Sequence, residues 1–276
     1  MTSTTTFPFS GLRPDRGMKR GMLGFAVALA GLLAAPLDAQ TESVVPALYE
    51  PDFLLSVGMI LDVPPDSAVV LGARKEHPIR ERSLTIEDRL YIPSLVSGRP
   101  LGLSDIVQFF RITRSVRDPV TDEPLGRLRV PTGVGRVDSL AGGIARVRVT
   151  DAYLPILIGD LVRVVTEADT TRPDGTGSSG PVEGYIVAFQ QDKAIHPPFD
   201  VLFLRPSYPA ALRPGEVVLL HRPGPVVKGL QLPEILIGRA VVVRPEGLLP
   251  AAVVMESYRS DLKVGDWFRR EEPPSP

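Results

Sequence analysis

Apolar residues in this chain fall into short β-branched runs separated by prolines and polar turns. The clearest runs are Ala68-Val-Val-Leu71, Arg89-Leu-Tyr-Ile92, Ala145-Arg-Val-Arg-Val149, Asp160-Leu-Val-Arg-Val-Val165, Val201-Leu-Phe-Leu204, Glu216-Val-Val-Leu-Leu220, Ala240-Val-Val-Val243 and Ala251-Ala-Val-Val-Met255. Their length and composition predict strands separated by turns. Prolines, 29 in 276 residues, recur from Pro46 onward and leave little room for long helices. The stretch Thr166–Pro181 is polar, with no apolar periodicity, and predicts a linker or a long exposed loop. The tail Glu271–Pro276 is charged and proline-rich and is expected to be disordered.

These runs repeat. Ala145–Asp160 can be laid without a gap on Ala251–Asp266, and Val134-Gly-Arg-Val137 matches Ile237-Gly-Arg-Ala240. More loosely, Gly58-Met-Ile-Leu61 corresponds to Gly184-Tyr-Ile-Val187, and Asp88-Arg-Leu-Tyr-Ile92 to Asp200-Val-Leu-Phe-Leu204. A duplication means two copies of one small unit. The expected fold class is therefore all-β, as tandem small β-barrel-like modules over residues 41–165 and 182–270, joined by a linker over 166–181. Within each copy, the step Ile158-Gly-Asp-Leu-Val162 or Val264-Gly-Asp-Trp-Phe268 reads as a turn into a closing strand. Gly supplies a positive φ there, and Asp bonds nearby backbone amides. Trp267 is expected to pack in the core or at its rim rather than to offer a sugar platform.

Ahead of the repeat, Met18 to Gln40 has the three parts of a secretory signal. Lys19 and Arg20 form a basic start, Met22 to Ala35 an apolar stretch, and Leu37-Asp-Ala39 a cleavage site. The apolar stretch is shorter than the ~20 residues of a spanning helix, so residues 1–39 read as a cleaved signal peptide, with Met18 a candidate true start. A periplasmic or secreted protein with no membrane span after cleavage is expected. Cleavage would remove Arg13, Arg16, Lys19 and Arg20 but only Asp15 and Asp38, making a chain of net charge −1 slightly more acidic. That balance argues against a nucleic-acid partner, which needs a basic face. With no cysteine, an exported chain has neither disulfides nor a thioether lipid anchor, and its core must hold it together.

Candidate chemistry is sparse. His77, His196 and His221 are scattered, with no two at metal-ligand spacing. Pro197 and Pro198 rule out a helix that would set His196 beside Asp200, so His196 reads as a solvated loop residue. No nucleophile elbow, zinc-helix motif or phosphate-cradling loop occurs, so no enzyme activity, catalytic residue, metal or cofactor is expected. A carboxylate pair assembled by folding stays open as a route to an envelope hydrolase. Arginines crowd the first copy, and as in Arg146-Val-Arg148 they read most simply as outward-facing strand positions. The sharper alternative is a basic stripe gripping carboxylates or phosphates of an envelope polymer, with Arg111, Arg114 and Arg146 as contacts.

The Gly-Arg step, the Ala-x-Val strand and the apolar-Gly-Asp-apolar turn resemble the C-terminal domain of flagellar assembly protein T. They also resemble the region that follows the LysM module in exported LysM peptidoglycan-binding proteins, where a segment like Asp118–Gly126 leads into the strand. Arg111–Val165 and Leu236–Arg269 carry the likeness, about half of the chain after residue 39. It implies small β-barrel modules of the cell envelope and no activity; no LysM module is found here. The expected function is a non-catalytic envelope component, structural or binding, with cell-wall glycan or an envelope protein as partner. A flagellar or secretion-apparatus accessory role is the alternative.

Overall fold

The strands form because short β-branched runs alternate inward and outward side chains, and two sheets roll up around them. The computed structural model describes residues 45–62, 67–74, 84, 86–172, 180–207, 212–244, 249–259 and 261–271. All of them lie in one unit, Gln40–Pro276; the expected signal peptide, the tail after Glu271 and residues 173–179 of the expected linker lie outside the described residues. A 3-10 turn (Val45–Tyr49) leads into helix α1 (Pro51–Ser56). Then come β1 (Met59–Leu61), β2 (Ala68–Val69), β3 (Gly72–Arg74), β4 (Arg89–Pro93), β5 (Leu95–Val96), β6 (Arg99–Pro100), β7 (Ile106–Arg117), β8 (Pro124–Ala141), β9 (Ile144–Ala152) and β10 (Leu161–Val164). Helix α2 (Glu167–Thr170) separates these from β11 (Glu183–Phe189), β12 (Val201–Pro206), β13 (Val217–Arg222), β14 (Val226–Val227), β15 (Leu230–Gln231), β16 (Ile235–Arg244), β17 (Ala251–Ser257) and β18 (Trp267–Arg270). The fold is all-β, in two barrel-like modules.

The second module is a closed antiparallel barrel in the order β11-β12-β17-β16-β13-β18. The first is a curled sheet, β2-β10-β7-β8-β9-β4-β3, with β1 added to β8. Only Val70 and Leu71 separate its two end strands, and their amides bond to the carbonyls of Asp160 (2.9 Å) and Tyr91 (2.9 Å). The segment β2–β3 thus spans the place that β11 fills as one strand in the second barrel. Backbone bonds repeat at that place: Gly159 N–H to Val70 O (3.0 Å) and Gly265 N–H to Ile186 O (2.8 Å).

Ladder registers correct the sequence alignment. Leu90 pairs with Val147, and Leu202 with Ala252, so Asp88–Ile92 and Asp200–Leu204 do correspond. Val147 therefore matches Ala252, one residue away from its gapless partner Val253. A one-residue slip exchanges faces: Val147 and Ala252 sit in the two barrel cores, whereas Val253 points outward. The gapless match holds again at the Gly-Asp turns, where Phe110 pairs with Leu161 and His221 with Trp267. Likewise Gly133, not Gly135, occupies the place of Gly238, because Phe109 and Leu220 pair with them. Gly58–Leu61 is not the counterpart of Gly184–Val187; Met59–Leu61 pairs with Arg127–Arg129 on β8, and Ala68–Ala73 takes the β11 role.

The two modules share a buried face. Val187, Val201, Phe203, Val241, Val243 and Val253, which point out of the second barrel, pack with Leu48, Val57, Ile60, Val116, Leu128 and Val130. Strands β11, β12 and β17 are accordingly buried on both sides over most of their length. The expected linker begins as a tethered turn. Asp169 accepts from the Thr166 hydroxyl (2.8 Å) and from Arg163 (2.8 Å), and Arg172 stacks over Tyr49 at 4.4 Å.

Candidate functional site

A cleft of about 250 Å³ opens at the seam between the modules, lined by Phe53, Ser56, Pro131, Tyr153, Leu154, Gln190, Gln191, Phe199, Asp200 and Val201. Helix α1 forms one wall. Its C-terminal end is fixed by the Gln190 amide, which donates to Ser56 O (3.0 Å) and accepts from Gly58 N–H (2.6 Å). Gly58 is required by this approach: a Cβ there would lie 2.6 Å from the Arg129 carbonyl. A second wall is set by Tyr153, whose hydroxyl donates to Asp52 O of helix α1 (3.2 Å). Burial, and then the carboxylates of Asp151 and Asp52, push the Tyr153 hydroxyl far above its ordinary pKa, so it acts only as a neutral donor.

The third wall comes from the loop before β12. Phe199 has φ 71°, a left-handed backbone rare for an aromatic residue, and the residue is 54% exposed in the cleft lining. Beside it, Asp200 accepts from Lys193 (2.7 Å) and lies 3.0 Å from His196 Nδ1. Here the sequence expectation fails. His196 is buried, not solvated, and its ring stacks on Phe189 with centroids 3.5 Å apart. The prolines exclude a helix, but the turn closed by Asp200 N–H to Pro197 O (3.2 Å) brings the pair together instead. Stacked and bonded in this way, His196 pins the loop that presents Phe199 and Asp200.

Each of the three candidate arginines has a partner within the protein. Arg111 grips the buried carboxylate of Asp160 with Nε (2.7 Å) and Nη2 (2.9 Å). Arg114 crosses the seam and donates to Phe189 O (2.7 Å). Arg146 is 40% exposed and paired with Asp138 at 2.6 Å; that hydrogen bond holds its pKa above the ordinary value. Arg111 also has a twin that sequence reading missed. Arg222 grips Asp266 with Nε and Nη2, both at 2.7 Å, and each Asp accepts from the N–H three residues before it, Leu157 (3.0 Å) or Lys263 (2.9 Å). The signal was present in the offset that carries Ser104-Asp-Ile-Val107 onto Gly215-Glu-Val-Val218, since the same offset carries Arg111 onto Arg222.

Trp267 sits at the barrel rim, 38% exposed and edge-on to Tyr185 at 5.9 Å. Among the described residues no group of three or more His, Asp or Glu side chains converges as a metal site, and no helix is long and apolar enough to cross a membrane. Compared with known proteins, the chain matches no protein-family model and no curated protein.

Proposed function

We propose that this protein is an exported, non-catalytic envelope component that binds cell-wall glycan, and that the seam cleft is where it does so. The cleft's lining carries this reading. Three aromatic rings, Phe53, Tyr153 and Phe199, stand with two amides and one carboxylate around about 250 Å³. Aromatic faces suit the C–H faces of sugars, and amides and carboxylates suit their hydroxyls. Pockets for drug-sized ligands start at roughly 300 Å³, so the cleft fits about one sugar ring. Asp200 is the one acid lining the cleft, its carboxylate is tied to His196 and Lys193, and glycoside hydrolysis calls on a pair of carboxylates. Binding is therefore a better reading than hydrolysis.

Co-sedimentation of residues 40–276 with purified cell-wall sacculi tests the proposal. Wild-type protein is expected to pellet, and Phe199→Ala to weaken pelleting about tenfold, on the scale of a lost aromatic contact of roughly 1–1.5 kcal/mol. Arg146→Ala is expected to leave it unchanged. Absence of pelleting, or loss with Arg146→Ala but not with Phe199→Ala, would remove the cleft as the wall-binding site.

A further inference from the structure

A second polar cluster lies elsewhere in the seam and plays no part in the cleft. Arg163 on β10 gives Nη1 to Asp169 (2.8 Å) and Nε to the Gln108 side chain (2.7 Å). Arg244 on β16 donates to the carbonyls of Leu54 (3.0 Å) and Asp169 (2.9 Å). Arg129 on β8 differs from both in having no hydrogen-bond acceptor for its guanidinium among the described residues; a buried Nε without an acceptor it shares with Arg239. Arg129 is only 6% exposed, and its guanidinium lies 5.5 Å from the centroid of the Phe110 ring.

Among the described residues, the charges acting on Arg129 do not balance. Asp169 is the one carboxylate that acts on Arg129, against two neighbouring guanidinium groups. Burial first, and then repulsion from Arg163 and Arg244, pull the Arg129 guanidinium down to about 9. The Phe110 ring face offers an arginine some attraction, but it does not replace the acceptor that the buried Nε–H leaves open. A desolvated cation left this way is costly unless a counter-charge reaches it. Guanidinium forks match the oxygens of phosphate and sulfate, and converging forks are what oxyanion recognition uses.

We propose that the seam holds a site for a small tetrahedral oxyanion of the phosphate class, with Arg129 as its principal donor and Arg163 and Arg244 flanking. A bound anion would touch β8 and β10 of the first module and β16 of the second, and so brace the two modules against each other. The proposal does not rest on glycan binding, and either can fail alone.

The test is calorimetric titration of inorganic phosphate into the purified protein at constant ionic strength, with chloride as control. A saturable one-site heat is expected, with a melting temperature that climbs as phosphate is added. Arg129→Met should lower the affinity at least tenfold, and without phosphate it should melt no earlier than wild type, because it removes an unpaired buried charge. A phosphomonoester titrated in parallel identifies the source: equal binding means a phosphoryl group on a larger molecule, and binding of inorganic phosphate alone means a free ion. No saturable heat in wild type, with melts identical in phosphate and chloride, overturns the proposal even if Arg129→Met does not fold.

Discussion

At the scale of single residues, the most informative feature is the arginine–aspartate grip that occurs once in each module. Asp160 and Asp266 are almost fully buried, 3% and 2% exposed. Each follows a glycine in the left-handed region, φ 94° at Gly159 and 89° at Gly265. The turn aims the carboxylate inward, a backbone N–H three residues earlier bonds it, and a bidentate guanidinium neutralises it. For Asp160 the Thr132 hydroxyl adds a further bond at 3.2 Å. Removing one partner of such a pair strands the other charge, which costs roughly 3–5 kcal/mol. Asp266→Ala is therefore expected to lower stability by about 3 kcal/mol in urea denaturation, with Asp160→Ala close behind. A loss under about 1 kcal/mol for both would mean that the grip is not what holds these turns.

At the scale of elements, the hairpin β7–β8 does more than line the first module. Its strands run past the sheet, and the turn that joins them docks on the second barrel. Asp118 makes the contact, accepting from the Tyr185 hydroxyl (2.7 Å) and pairing with Arg205 (2.8 Å). Its other oxygen accepts from the amides of Val120 (2.7 Å) and Thr121 (3.0 Å). Burial alone would raise this carboxyl, but the Tyr185, Val120 and Thr121 donors and the Arg205 charge hold it below its ordinary 3.8. A carboxyl depressed in the folded state stabilises fully above its unfolded pKa and loses that contribution as pH falls through the folded one. Asp118→Asn should thus cost about 2–3 kcal/mol at pH 7, and the gap from wild type should narrow as pH falls below 4. Hydrogen exchange would localise the effect, with faster exchange over 112–129 in the variant; unchanged exchange there would show that the tip is not a latch.

For the whole molecule, the shared apolar face decides how the modules behave. Phe203 is fully buried, but it points out of its own barrel into the seam, beside Val241, Val253, Val116 and Leu128. Separated modules would expose this face to water, so folding of the two is coupled. The expected outcome is one transition in denaturant: fluorescence of Trp267, which reports the second barrel, should coincide with circular dichroism, which reports both. Phe203→Ala should move both curves together, by about 3–5 kcal/mol. Curves that separate in wild type would instead describe two independently stable modules.

Much of this architecture is legible in the chain because it is local. Alternation in Arg146-Val-Arg148 marks a strand with one wet face, and the unbroken runs Val201–Leu204 and Ala240–Val243 carry the mark of strands buried on both faces. The turn at Gly159-Asp160 follows from glycine's positive φ and aspartate's reach, and the duplication is visible wherever such turns recur. The sequence alignment failed where a β-bulge or a one-residue insertion changes the register, since pairing across a sheet, not letter identity, sets which face a residue takes. Long-range partners were beyond it for the same reason. Arg111 and Asp160 lie 49 residues apart, Arg222 and Asp266 44, and Arg114 reaches a carbonyl 75 residues away. Along the chain Arg111, Arg114 and Arg146 read as outward-facing strand positions, with a basic stripe as the alternative, and folding gives each of them a partner within the protein. Composition and pattern alone determined an all-β chain built twice. The seam, its cleft and its under-neutralised arginine were decided only in three dimensions, because burial and counter-charge depend on which distant surfaces meet.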